Sequence, residues 1–225
     1  MTTLCLRDRL AAVLEPLDAW SPASAPDHSD FDLNPEFRPT DRPVLRDAAV
    51  LIPVVDHPEG PTVLLTRRSD TMNSHSGQVA FPGGRLDPGE DVVQAALREA
   101  MEEVGLDASF IEPLGLSHRY ETVTGYVVTP VVAIIQPGFT LTLNPAEVAE
   151  SFETPFEFLM DEANHLRAFY ERNGRKRWFY RIPWQGQDIW GATAGMIRAL
   201  RARLYGDDGE GAMIGEPDAR DGGPA

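Results

Sequence analysis

Apolar residues run through AAVLIPVVD at 48–56, PTVLLTR at 61–67 and YVVTPVVAIIQ at 126–136 with few polar interruptions. Short β-branched runs of this kind predict strands, the last of them buried. The first two are separated only by His57-Pro58-Glu59-Gly60, so they read as a pair. In LRAFYERNGRKRWFYRI at 166–182, Asn173-Gly174 lies between two aromatic-rich arms, the signature of a hairpin closed by a type I′ turn. Between residues 91 and 105 the period changes to that of a helix. Val93, Leu97, Ala100, Met101 and Val104 share one face, Glu99, Glu102 and Glu103 the opposite one, and Gly105 follows as the C-cap. Asp87-Pro88-Gly89 supplies a turn before it. A short amphipathic helix, LRDRLAAVLEPL, is expected near the start.

Three like charges within one helical turn repel one another, which favours a cation among them. Carboxylates suit a hard divalent ion such as Mg²⁺ or Mn²⁺, and a magnesium site usually leaves positions open to substrate phosphates. The commoner meaning of such a run is a solvated helix face. Its surroundings decide between the two. From Gly84 to Leu106 the chain reads GRLDPGEDVVQAALREAMEEVGL, with Gly84, Glu90, Arg98, Glu99, Ala100, Glu102, Glu103, Gly105 and Leu106 in a fixed spacing. From average residue usage, a chance match to all nine positions is on the order of one in ten million.

This segment resembles the defining box of the Nudix hydrolase family. The resemblance implies an α/β fold, an α/β/α sandwich around a mixed β-sheet, and Mg²⁺- or Mn²⁺-dependent hydrolysis of a nucleoside diphosphate linked to another group. It implies that Glu99, Glu102 and Glu103 bind metal, that Glu99 also orients or deprotonates the attacking water, and that Glu90 and Arg98 form a structural ion pair. Water attacks a pyrophosphate slowly unless its oxygens are neutralised, so metal dependence is expected to be absolute.

The preceding residues, LLTRRSDTMNSHSGQVAFPGG at 64–84, are similar to the additional motif of coenzyme A pyrophosphatases within that family. Leu64, Leu65, Thr66, Arg68, Ser69, Gly77, Phe81, Pro82, Gly83 and Gly84 fit, whereas the family's arginine is Asn73 here. The resemblance makes Arg68, Ser69, Gly77, Gln78, Phe81, Gly83 and Gly84 candidate substrate-binding positions, the two glycines by letting backbone approach metal and phosphate. His75 reads as polar surface. LNPAEVAESFETPFEFL at 143–159 looks like the segment that turns a loop acid toward the box helix, with Glu147 or Glu150 the candidate. IWGATAGMIRAL at 189–200 resembles the subfamily's closing helix, with Trp190 and its small residues packed in the core. Arg175, Lys176 and Arg177 either meet the 3′-phosphate of coenzyme A or are a basic hairpin tip.

The 225 residues, 42% hydrophobic, suffice for one catalytic domain at 46–205. An N-terminal helix and surface linker at 1–45 precede it, and a Gly- and Asp-rich tail too apolar-poor to fold follows at 206–225. A net charge of −15 argues against nucleic acid as a partner, and the resemblance implies a small-molecule substrate of the coenzyme A class. Cys5 is the single cysteine, so no internal disulfide forms; it is expected as a small buried group, and a reducing cytoplasm as the setting. Neither a signal peptide, a membrane-spanning stretch nor a peroxisomal Ser-Lys-Leu address is read. The substrate alternative is a broader nucleotide pyrophosphatase acting on ADP-ribose, dinucleotides or nucleoside triphosphates. A non-catalytic sensor on the same fold would be expected to show an eroded box.

Overall fold

The computed structural model describes residues 5–22, 24–41, 44–70, 77–206 and 213–214. Asn73 and His75 lie outside the described residues. The chain begins with helix α1 (Leu6–Val13) and a two-residue strand, β1 (His28–Ser29). Strands β2 (Arg46–Val55) and β3 (Thr62–Arg68) follow, then the short β4 (Val79–Ala80) and β5 (Gly83–Arg85) and helix α2 (Val92–Val104). Next come β6 (Ile111–Leu116), β7 (Tyr120–Glu121), β8 (Tyr126–Ile135), β9 (Val148–Pro155) and the short helix α3 (Phe156–Met160). Strands β10 (Leu166–Arg172), β11 (Arg175–Trp184) and β12 (Gln187–Trp190) form most of a second sheet, and helix α4 (Ala192–Tyr205) follows it.

The three apolar runs form the centre of the first sheet. β2 and β8 pair in parallel from Arg46↔Tyr126 to Val55↔Ile135, and β2 turns back onto β3 through Val54↔Val63. Alternation along β2 then builds two cores. Ala49, Leu51 and Val55 face α2, whereas Ala48, Ile52 and Val54 face the side covered by α1, α3 and α4 through Leu10, Phe156, Leu159, Ile197 and Leu200. Parallel strands need cover on both faces, which explains why these runs are apolar throughout. The result is an α/β/α sandwich around a mixed sheet.

Helix α2 starts and stops where the sequence predicts. Asp91 accepts from the N–H groups of Val93 and Gln94, the Gln94 side chain returns the contact, and Gly105 ends the helix at φ 67°. Its buried face is rotated from the predicted one. Val92, Ala95, Ala96, Ala100, Glu103 and Val104 are buried, Val93 and Leu97 only partly, and Met101 is half exposed. Three alanines let the helix lie close to the sheet, so the small residues rather than the bulky ones meet β2.

The 166–182 hairpin forms as read, with Asn173 at φ 55° and Gly174 at φ 70° as a type I′ turn requires. Two expectations are corrected. Cys5 is exposed, because it is the N-cap of α1 and the helix buries Leu10 instead. The stretch read as an unfolding tail contributes Met213–Ile214, two of its few apolar residues, as strand β13 alongside β10. The N-terminal linker also does more than wrap the surface. Asn34 is fully buried, and its side-chain amide donates to the Trp178 carbonyl and accepts from the Trp178 N–H, each at 2.7 Å.

Candidate functional site

The acids of α2 meet a loop because of how that helix ends. Its last carbonyls have no partner within the helix, and the following loop supplies donors: Thr142 N–H to Val104 O at 2.8 Å and Asn144 N–H to Glu103 O at 2.9 Å. Asn144 then turns the chain, accepting from Glu147 N–H, and its side chain donates to the Glu147 carboxylate at 3.3 Å. From the other side, Ser69 N–H donates to Glu147 O at 2.8 Å. Glu147 is thereby held over the helix, and single carboxylate oxygens of Glu99, Glu103 and Glu147 lie within 4.8 Å of one another.

Of the three predicted metal-binding acids, Glu99 and Glu103 enter this cluster and Glu102 does not. Glu102 is half exposed and bonds instead to Arg98 Nη1 at 3.0 Å. Arg98 links much of the box. It makes two bonds to Glu90, at 2.8 and 2.9 Å, and reaches Glu99 at 2.9 Å and the Arg85 carbonyl at 3.1 Å. The Glu90–Arg98 pair expected from the resemblance is present, and Arg98 ties Glu99 and Glu102 to it. Bonding to Glu90 and the neighbouring carboxylates pushes the Arg98 pKa above its ordinary value. Glu90 is lowered by the same bonds.

The cluster itself is short of positive charge. Glu103 is only 3% exposed, and burial pushes its carboxyl up to about 8, against the partial relief given by Arg68 at 3.9 Å and the Gly83 N–H at 3.3 Å. Glu99 is raised for the same first reason. A divalent cation removes this penalty directly, since three converging carboxylates with limited exposure are the oxygen ligands a hard ion takes. Glu99, Glu103 and Glu147 therefore fit such an ion.

The residues of the upstream motif divide by role. Arg68 reaches the cluster, and its Nε is buried with no hydrogen-bond partner among the described residues. Ser69 anchors Glu147 through its backbone. Gly77, at φ 68°, donates to Arg68 O and shapes the loop end, while Gln78 O accepts from Arg68 N–H at 2.9 Å. Phe81 is buried, with its aromatic side chain packed in the sheet's core. A methyl group at Gly83 would lie 2.4 Å from the Ala49 carbonyl, so this glycine lets β5 pair against β2. At Gly84 it would lie 2.3 Å from a Glu99 carboxylate oxygen, so that glycine makes room for the acid. Glu150, the other loop candidate, pairs instead with Arg67 and Gln187.

Sequence reasoning missed the cavity of about 530 Å³ enclosed by β1, the β7–β8 turn, β10–β12 and α4. Its walls come from segments as far apart in sequence as His28 and Ala202; only the aromatic hairpin hinted at it.

Residues 45–180, more than half of the chain, match the NUDIX domain. A relative from Photorhabdus laumondii, "Uncharacterized Nudix hydrolase NudL", is 43% identical over 160 residues, covering 71% of this chain and 85% of the relative. Its namesake from Yersinia enterocolitica is 44% identical over 162 residues, covering 70% and 80%. A solved Ap4A hydrolase of C. elegans, 22% identical, aligns over 49% of this chain and 80% of its own, with a TM-score of 0.44. With the box helix, its acids and the surrounding sandwich in place, the chain belongs to the Nudix hydrolase family.

Proposed function

We propose that this protein is a metal-dependent hydrolase that cleaves the pyrophosphate of coenzyme A or its derivatives, giving 3′,5′-ADP and 4′-phosphopantetheine. One observation carries the reading: the coenzyme A-type motif meets the residues of the carboxylate cluster at two points, an Arg68–Glu103 ion pair at 3.9 Å and the Ser69 N–H donating to the Glu147 backbone carbonyl. In this reading, the sequence feature assigned to substrate choice and the acids assigned to the chemistry belong to one site.

Glu99, Glu103 and Glu147 would hold Mg²⁺ or Mn²⁺, which neutralises diphosphate oxygens and makes bound water more acidic. Arg68 supplies a guanidinium on the side of the cluster nearest the motif, suited to a phosphate oxygen. Glu99, fixed by Arg98 and by the space at Gly84, would orient or deprotonate the attacking water. Arg98 also restrains Glu102 at the cluster's exposed edge. A cytoplasmic setting accompanies this reading. No helix among the described residues is long and apolar enough to cross a membrane.

The test is a comparison of kcat/KM for coenzyme A, ADP-ribose and NADH with Mn²⁺ supplied. Coenzyme A should be preferred, and Glu99→Gln should lower kcat by at least about 100-fold. A preference for ADP-ribose or NADH would establish the broader pyrophosphatase instead. Tight binding of a diphosphate without turnover would establish a sensor.

A further inference from the structure

The 530 Å³ cavity reaches Gln78, the residue before strand β4. Gln78 is on its rim, and the carbonyl of the same residue accepts from Arg68 N–H. The next residue, Val79, is fixed to the cavity wall by Thr193 Oγ1, which donates to its carbonyl at 3.0 Å. The Gln78–Val79 segment therefore bonds to Arg68 of the cluster at one residue and to the cavity wall at the next.

The lining combines aromatic faces with guanidinium groups. Phe179 packs edge-on against Trp190 at 5.4 Å, and Arg167 lies over the Trp178 ring at 5.4 Å. Arg177, on the same strand as Trp178, lies 5.9 Å from the Phe31 ring. Arg167 Nε and Arg177 Nη2 are buried without a hydrogen-bond partner, and neither residue makes an ion pair within 4 Å among the described residues, although Arg177 acts electrostatically on the buried Asp30 carboxylate. The cavity's acids differ in this respect. Asp30 accepts from Tyr120 Oη at 3.1 Å and from Val123 N–H at 2.8 Å, and Asp32 from the Ser29 N–H and hydroxyl. Buried guanidinium nitrogens without a hydrogen bond also occur at Arg68, Arg119 and Arg203, where the rest of the group is ion-paired; Arg167 and Arg177 differ in lining the cavity without such a pair. These two cations are set among rings that suit a flat π system.

We propose that this cavity seats the phosphorylated nucleoside end of the substrate, with the base among Trp178, Phe179 and Trp190 and a phosphate met by Arg167 and Arg177. The inference rests on the diphosphate-hydrolase reading for the identity of its ligand. It adds a location and named residues on the face of the sheet away from α2. It also assigns a role to the N-terminal segment, since Ser29 to Leu33 close one side of the cavity.

Trp178 and Trp190 line the cavity, two of the four tryptophans in the chain, so fluorescence reports on it directly. The protein is titrated in EDTA with 3′,5′-ADP, with inorganic phosphate and with 4′-phosphopantetheine. A saturable change is expected with 3′,5′-ADP and weaker binding with the other two. Arg177→Gln and Arg167→Gln should each weaken 3′,5′-ADP binding by roughly tenfold or more, the loss of a charge-assisted hydrogen bond. Arg177→Lys, which keeps the charge, should recover part of it, and unchanged circular dichroism shows that the variants fold. No saturable response at millimolar 3′,5′-ADP, or equal binding by wild type and both glutamine variants, overturns the inference. Coenzyme A turnover by wild type alongside absent nucleotide binding removes the cavity assignment alone. Arginine-dependent nucleotide binding without hydrolysis of any diphosphate removes the proposed activity alone.

Discussion

Replacing Glu103 with glutamine should stabilise the metal-free protein, and increasingly so as pH rises. The carboxyl is almost completely buried and its pKa stands at about 8 instead of the ordinary 4.5. Below 4.5 folded and unfolded chains both carry the proton, and this group does not oppose folding. As pH rises from there toward 8, the unfolded chain ionises while the folded one resists, so stability is lost across that window. At pH 7 the difference spans about 2.5 pH units at 1.36 kcal/mol each, or about 3 kcal/mol. Glutamine has a similar shape and no charge to lose, so it escapes this cost. For a chain of this size, about 2–4 °C per kcal/mol makes the gain roughly 6–12 °C in Tm at pH 7. Calorimetry in EDTA at pH 5, 6, 7 and 8 measures it. The wild type should also gain more from added Mn²⁺ than the variant, because a cation removes the same penalty. A Tm difference that is flat with pH, or larger at pH 5 than at pH 8, would refute the assignment of Glu103 as a buried, under-compensated acid.

Gly84→Ala should lower kcat by more than tenfold with little change in KM, since the added methyl group would displace the Glu99 carboxylate 2.3 Å away; steady-state kinetics would show it. Phe156→Ala should destabilise by about 3–5 kcal/mol, because this fully buried ring fills the core beneath the sheet, and urea denaturation with an unchanged m-value is the check. Asp91→Ala should cost about 1 kcal/mol by removing the cap that holds two N–H groups of α2, again read by denaturation. Chelation should abolish hydrolysis, and Mg²⁺ or Mn²⁺ should restore it while Ca²⁺, with its looser coordination, restores far less.

Much of the layout was legible because it depends on short-range physics. A left-handed glycine at the helix end and a type I′ Asn-Gly turn are each set by a few adjacent residues, and both formed where expected; the capping box of Asp91 and Gln94, equally local, was not read. The facing of α2 was not legible, because hydrophobicity ranks Leu97 and Met101 above Ala95 and Ala96, whereas close approach to β2 rewards the smaller residues. At the acidic cluster, spacing along one helix grouped Glu99, Glu102 and Glu103. The fold separated Glu102, which Arg98 holds outward, and the choice between Glu147 and Glu150 turned on the α2 C-terminal carbonyls being met by the Thr142–Asn144 loop. Phe81 was read as a substrate-binding position and is buried in the core, while Gly83, read as letting backbone approach the metal site, brings its N–H to 3.3 Å from the Glu103 carboxylate as well as letting β5 pair with β2. The cavity requires pieces of the N-terminal segment, the second sheet and α4 at once, and none has a period of its own.

The clasp between Asn34 and Trp178 has a consequence for how copies of this protein treat one another. β12 pairs with β11 only from Arg181 to Trp184, so the rim of β11 at Trp178 would otherwise offer a bare amide and carbonyl beside aromatic rings. A single side chain there imitates the backbone of a missing neighbour and occupies both groups. Trimming the N-terminal segment would unseal that rim and invite a second molecule to add a strand, so trimmed versions should self-associate before they lose their fold.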